Sequence, residues 1–159
     1  MNLNYEENCV MTAPGLVIKG GGSPTVKFVN TIYSKANGLV GTPKGAADCP
    51  NLATSIGEGP NSPVITNIPA KHARYFTLLT TIDPTTSVQT LSWVHGPDFS
   101  ELTDIGRTQY INPGDSHKAI VGYVGIINGS AADFIPGTTA LDAGGIAVIY
   151  QDAFGFTGA

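Results

Sequence analysis

Two aspartates, Asp133 and Asp142, flank a tight turn in the segment DFIPGTTALD, and paired carboxylates are groups that can bind metals or transfer protons. No third acidic residue follows at the spacing of a calcium-binding loop. A simpler interpretation is that both carboxylates accept hydrogen bonds from backbone N–H groups of the turn, which includes Gly137, Thr138 and Thr139. We therefore predict that these five residues form a structural loop without a metal.

A second pair of candidate residues is Ser116 with His117, the residue types of a nucleophile and its base. Adjacent side chains of an extended chain point apart, so these two cannot act on each other. His72 and His95 lack the close spacing of a metal site, and we expect His95 to meet Asp98 across a turn. The sequence predicts no catalytic residue and no cofactor, and we interpret the protein as a non-enzyme.

The elements that must position these residues begin after an irregular start. Residues 1–24 show little periodicity beyond LVIK and end in GGGSP, where three glycines precede no Lys-Ser/Thr pair of a phosphate-binding loop. We predict an extended amino-terminal arm over residues 1–24, with the glycines as a hinge.

Period-two alternation from Thr25 predicts a strand over TVKFVNTIY, and Asn37-Gly38 is a strong signal for a hairpin turn. These features predict a β-hairpin near residues 26–42. The segment AADCPNLA has room for one short helical turn, which Pro50 and the following Gly/Pro-rich residues end.

Four clearer strands follow. The first two should pair across the turn DPTT, and the last two read as strands buried on both faces at the centre of the sheet. The predicted strands cover residues 74–82, 87–94, 118–127 and 144–150. No helical periodicity runs for twelve residues, so we predict an all-β fold, either a β-sandwich or a small jelly-roll-like barrel.

These elements divide the chain into an arm (1–24), a single β-domain (25–150) and a carboxyl-terminal tail (151–159). Phe154 and Phe156 alternate across Gly155, so an extended tail would present both rings on one side. We predict that the tail docks on a neighbouring subunit through these two rings.

Composition restricts the partners. The chain of 159 residues has 13 % charged residues and a net charge of -4, and its 8 Lys and Arg form no cluster, which argues against a nucleic-acid partner. The longest apolar run, residues 119–127, is well under the ~20 residues of a membrane-spanning helix. Without signal-peptide features, we expect a soluble protein made in the cytoplasm, with Cys9 and Cys49 as free thiols.

One part of the chain resembles a known class of proteins. The stretch from Ala119 to Tyr150, together with AADCPNLA at 46–53, is similar to virion structural proteins of tailed bacteriophages. The residues that carry the resemblance are Val121, Gly122, Val124, Asn128, Phe134, Gly137, Thr138, Thr139, Ala140, Leu141 and Asp142.

The resemblance implies a component of a phage particle, and a compact β-domain fits a decoration protein on the capsid shell better than a fibre shaft. Its implied partners are the major capsid protein or other virion proteins, and further copies of itself. A head-fibre or tail component is the close variant of this hypothesis. The alternative from a different class is a β-sandwich that binds a glycan or a host surface, which would require an exposed aromatic platform.

Overall fold

A computed structural model describes residues 8–57, 67–98 and 117–153. Over these residues the protein is all-β, as predicted, with eleven strands in three sheets and one short 3-10 helix. The strands are β1 (Cys9–Val10), β2 (Leu16–Ile18), β3 (Val26–Phe28), β4 (Ser34–Ala36), β5 (Leu39–Val40), β6 (Ala47–Asp48), β7 (Ile56–Gly57), β8 (Ala73–Ile82), β9 (Gln89–His95), β10 (Lys118–Asn128) and β11 (Ile146–Asp152). No helix in the described residues is long and apolar enough to span a membrane.

The largest sheet has five strands in the order β11-β10-β8-β9-β7. The two smaller sheets, β1-β4-β5 and β2-β3-β6, share one hydrophobic core with it, an arrangement compatible with the predicted β-sandwich. Fully buried large side chains from both layers meet there, and each stabilises the fold by about 1.5–3 kcal/mol. They include Phe28, Ile32, Phe76, Leu78, Trp93 and Ile126.

The central hairpin of the large sheet follows the sequence pattern closely. β8 and β9 pair in antiparallel register from Phe76 with His95 to Ile82 with Gln89. The Asp83 carboxylate accepts hydrogen bonds from the backbone N–H groups of Thr85 and Thr86 in the turn between them. These bonds confirm the predicted turn, and they hold the pKa of the Asp83 carboxyl below its usual value.

β10 is central, as predicted, but Ile120, Tyr123 and Ile127 are only half-buried, so it is not fully buried on both faces. β11 is not central. A register shift between Ile120 and Gly122 inserts one extra residue into β10. Val121 and Val124, three residues apart, would lie on opposite faces of a regular strand, but the extra residue lets both side chains reach the core. β11 lies at one end of the strand order, and its residues alternate between half-buried and exposed. The prediction that residues 144–150 are buried on both faces is therefore wrong, because an apolar run does not distinguish an edge strand from a central one.

The predicted hairpin over residues 26–42 is shorter than expected. β4 and β5 do turn at Asn37-Gly38, where both residues have positive φ (51° and 75°) as a type I′ turn requires. The strand predicted over residues 25–33 ends at Phe28, however, because β3 pairs with β2 and β6 whereas β4 belongs to the sheet of β1. The expected helical turn is present as the 3-10 helix Leu52–Thr54.

The domain begins earlier than the sequence pattern indicated. Within the predicted arm, β1 and β2 pair in the small sheets, and Val10 and Leu16 are buried members of the core. Strands of two or three residues are too short to show a period, which explains why they were not recognised.

The domain also ends later than predicted. Residues 151 and 152 belong to β11, and the Ala153 N–H donates to the Val121 carbonyl at 3.0 Å. The Asp152 carboxylate accepts hydrogen bonds from the backbone N–H groups of Gly15 (3.1 Å) and Leu16 (3.0 Å). The first residues of the predicted tail therefore fasten the predicted arm, and a deletion that starts at Asp152 would remove these contacts.

Candidate functional site

The loop between β10 and β11 contains the residues predicted to be structural, and the Asn128 side chain anchors the start of this loop. This side chain is fully buried, and its Nδ2 donates to the carbonyl oxygens of Ile68 (2.9 Å), Pro69 (3.2 Å) and Ala132 (2.8 Å). Its Oδ1 accepts from the backbone N–H and the hydroxyl of Ser130. Every polar atom of the Asn128 side chain thus holds the start of the loop.

The turn that follows is closed by its own hydrogen bonds. The N–H groups of Thr138 (3.0 Å) and Thr139 (2.8 Å) donate to the Ile135 carbonyl, and the Ile135 N–H donates to Thr139 Oγ1 at 2.9 Å. Gly137 has φ of +78°, and a Cβ added there would lie 2.1 Å from Asn51 Oδ1. The turn therefore packs directly on the residue that caps the 3-10 helix.

Asp142 is a structural carboxylate, but its partner is not the predicted one. Both of its oxygens accept from the Gly22 N–H at 3.0 Å, and the neighbouring Leu141 N–H donates to the Ser23 carbonyl at 2.9 Å. It therefore caps the glycine turn near the start of the chain rather than the N–H groups of residues 137–141. The predicted hinge is held against this loop.

Asp133 does not join Asp142. It is exposed, and none of the residues that the structure describes donates a hydrogen bond to its carboxylate. Residues 8–57, 67–98 and 117–153 contain no group of three or more His, Cys, Asp or Glu side chains that could hold a metal ion. The prediction that Asp133 caps the turn is therefore wrong.

A serine–histidine pair that the sequence did not indicate lies beside β7 and β9. Ser55 Oγ is 2.8 Å from His95 Nδ1, and both residues are buried, at 8 % and 1 % exposure. Asp98, predicted to partner His95, instead forms an ion pair with buried Arg74. Because the Ser55 hydroxyl is enclosed, the pair fits a structural contact better than a nucleophile open to a substrate. The other candidate nucleophile, Ser116, lies outside the described residues.

The chain's single tryptophan is part of the core. Trp93 is 1 % exposed, and its Nε1 donates to the Pro50 carbonyl at 2.8 Å. Its ring is therefore not available as the aromatic platform that the glycan-binding hypothesis requires.

A groove runs beside β9. It has a volume of about 470 Å³, and the side chains that form it include Lys44, Pro50, Val88 and Leu91. A second hollow of about 130 Å³ adjoins it and shares Lys44, Val88 and Gln89. Phe154 and Phe156, the predicted docking residues, lie outside the described residues.

Another candidate surface is an uncharged strip, formed by residues 11–15 and 29–33, which run side by side. The Met11 N–H donates to the Tyr33 carbonyl at 2.7 Å, and the Val29 N–H donates to the Pro14 carbonyl at 3.0 Å. Neither segment contains a charged residue. Met11, Val29 and Tyr33 are large apolar residues, yet they are 41 %, 47 % and 43 % exposed.

The chain matches no protein-family model, no curated protein and no solved structure. A functional hypothesis therefore rests on the residues and surfaces described above.

Proposed function

We propose that the protein is a structural component of a tailed-bacteriophage particle that decorates the capsid shell. The uncharged strip is the observation that carries this proposal. A single exposed apolar residue is normal on a protein surface, but three on two adjacent segments without charged side chains are typical of a contact between proteins. In this proposal the strip contacts the major capsid protein or another virion protein, and the protein, made in the host cytoplasm, is carried in the virion.

The residues that carry the resemblance to phage virion proteins support the same proposal, because several of them have structural roles in the domain. Asn128 anchors the start of the loop, Phe134 and Leu141 belong to the core, and Asp142 caps a distant turn. Side chains with such structural roles are those that proteins of one fold would share. A head-fibre or tail component remains the close variant of this role.

Glycan or host-surface binding is the second candidate, and one feature of the strip favours it. Tyr33 is 43 % exposed, and the exposed residue Asn30 lies three positions before it. Aromatic rings and amides are the groups that line many ligand sites, and the strip carries one of each, although the Asn30 Nδ2 already donates to the Ala13 carbonyl. If this function is correct, the purified protein should adsorb to host cells, and Tyr33→Ala should abolish adsorption.

The decoration proposal predicts binding to shells that resists salt. Charge pairs weaken at about 0.5 M salt, where the screening length is well below its ~8 Å at physiological salt, whereas apolar contacts do not weaken in this way. The amount of this protein bound to isolated shells should therefore be the same in low salt and in about 0.5 M salt. Tyr33→Asp should weaken binding by about tenfold or more, because it places a charge where the proposed contact would bury the tyrosine ring.

The matched control is Val40→Asp, at a 63 % exposed position on β5 outside the strip. It introduces the same charge and should leave shell binding unchanged. Release of the protein at about 0.5 M salt, or equal weakening by both variants, would show that the strip is not the contact.

A further inference from the structure

The chain contains the dipeptide Asn-Gly twice, at residues 37–38 and at residues 128–129. In this dipeptide the backbone nitrogen of glycine can attack the side-chain carbonyl carbon of asparagine, because glycine has no side chain that hinders the approach. Both dipeptides have the same local chemistry, so a difference in their reactivity must come from the fold.

The fold leaves the reacting groups of the first dipeptide accessible. Asn37 and Gly38 are both exposed, and they form the turn between β4 and β5. The Asn37 backbone N–H donates to Asn8 Oδ1 at 2.8 Å. Within the part of the chain that the structure describes, the Asn37 side chain forms no hydrogen bond and the Gly38 N–H donates none. The carbonyl carbon that would be attacked and the nitrogen that would attack it therefore both face water.

The turn at Asn37 can also rearrange without disturbing the core. The attack requires the peptide group between Asn37 and Gly38 to rotate out of the type I′ turn, in which Asn37 has φ of 51°. β4 and β5 are paired over two residues of each strand, and β5 is the last strand of its sheet. Short strands at the end of a sheet, with few buried contacts, open locally at a small cost in free energy.

The second dipeptide is held in place at both reacting groups. Asn128 is fully buried, and its side-chain nitrogen and oxygen are both engaged in hydrogen bonds. The Gly129 N–H donates to the Gly145 carbonyl at 2.8 Å, so the nitrogen that would attack is directed away from the Asn128 side chain. Asn128 can therefore react only when this part of the domain unfolds.

We propose that Asn37 is a site of spontaneous deamidation and isomerisation. Hydroxide removes the proton from the Gly38 N–H, and the nitrogen forms a bond to Asn37 Cγ. The bond from Cγ to the side-chain nitrogen breaks, and that nitrogen takes a proton from water and leaves as ammonia. Water then opens the cyclic imide at one of its two carbonyl carbons, which gives either aspartate or isoaspartate. The sequence of steps consumes water, releases ammonia and requires no oxidant or reductant.

The two products differ in their effect on the hairpin. Both add a negative charge at its tip to a chain whose net charge is -4. Aspartate retains the normal backbone and also adopts positive φ, so it fits the turn. Isoaspartate directs the main chain through the former side chain and lengthens the backbone by a methylene group. Because the geometry of a short turn sets the register of its hairpin, isoaspartate should loosen the pairing of β4 with β5.

Incubation of the folded, full-length protein at mildly alkaline pH tests the proposal. Samples are digested at acidic pH, where the reaction is slow, and the peptides that contain Asn37 and Asn128 are followed by chromatography and mass spectrometry. We expect Asn37 to convert to a mixture of isoaspartate and aspartate at a rate that rises with pH. Asn128 should convert about a hundredfold or more slowly, because it reacts only in the small fraction of molecules that are unfolded, about one in a thousand or fewer.

Two controls separate the effect of the fold from the chemistry of the dipeptide. In urea sufficient to unfold the protein, Asn37 and Asn128 should react at similar rates. The variant Asn37→Asp has the charge of the product from the start, so the folded variant should gain little further negative charge during the incubation. Equal rates at the two sites in the folded protein, or an Asn37 that reacts in urea but not in the folded protein, would overturn the proposal. A gain of charge by Asn37→Asp equal to that of the native protein would also overturn it.

Discussion

Asn128→Asp is expected to cost roughly 3–5 kcal/mol of unfolding free energy, near the upper end for single substitutions. The change is nearly isosteric, but it replaces an NH₂ group that donates to three carbonyl oxygens, those of Ile68, Pro69 and Ala132, with an oxygen that cannot donate. It also places a carboxylate among those carbonyls in a fully buried position. Urea unfolding followed by tryptophan fluorescence measures the loss, since Trp93 lies in the core.

The matched control is Asn37→Asp, which makes the same change at the other Asn-Gly dipeptide of the chain. Asn37 is exposed, and its φ of 51° is one that aspartate also adopts. We expect a change within about 0.5 kcal/mol there, as for most surface substitutions. If Asn128→Asp is no more damaging than Asn37→Asp, Asn128 does not anchor the loop.

We expect Gly137→Ala to lower the free energy of unfolding by roughly 2–4 kcal/mol, somewhat less than Asn128→Asp. Two effects add at this position. Its φ of +78° is costly for any residue with a side chain, and the new Cβ would lie 2.1 Å from Asn51 Oδ1. Urea unfolding again measures the difference.

Two further variants separate these effects. Gly22→Ala has nearly the same φ, +75°, but nothing lies within 4 Å of the added Cβ, so it should show the backbone cost alone. Asn51→Ala removes the colliding side chain, so Gly137→Ala should cost less in the Asn51→Ala background than in the native protein. Equal costs in both backgrounds would mean that the turn does not pack on Asn51.

The sequence predicted the elements whose signals are local. β8, β9 and the turn between them follow a long apolar pattern and an Asp-Pro turn, and Asn37-Gly38 marks a hairpin with the dipeptide that a type I′ turn favours. β1 and β2 were missed because two or three residues cannot show a period. β11 was placed at the centre because apolar content does not reveal whether a strand lies at an edge.

The contacts of the candidate sites were less predictable because they join distant residues. Asp142 and Gly22 are 120 residues apart, and Ser55 and His95 are 40 apart, with no local pattern that links either pair. The uncharged strip and the groove also depend on which strands are neighbours. The structural role of Asp142 could be predicted from its position after a turn, but its partner required the fold.

Electron cryomicroscopy of the purified phage particles is the most direct test of the proposal that this protein decorates a capsid shell. If the protein decorates the shell, density for the β-domain should lie on the outer surface of the shell, with Met11, Val29 and Tyr33 at the contact with the shell protein. Particles without this chain, or a domain that attaches through another face and leaves these three residues in solvent, would contradict it.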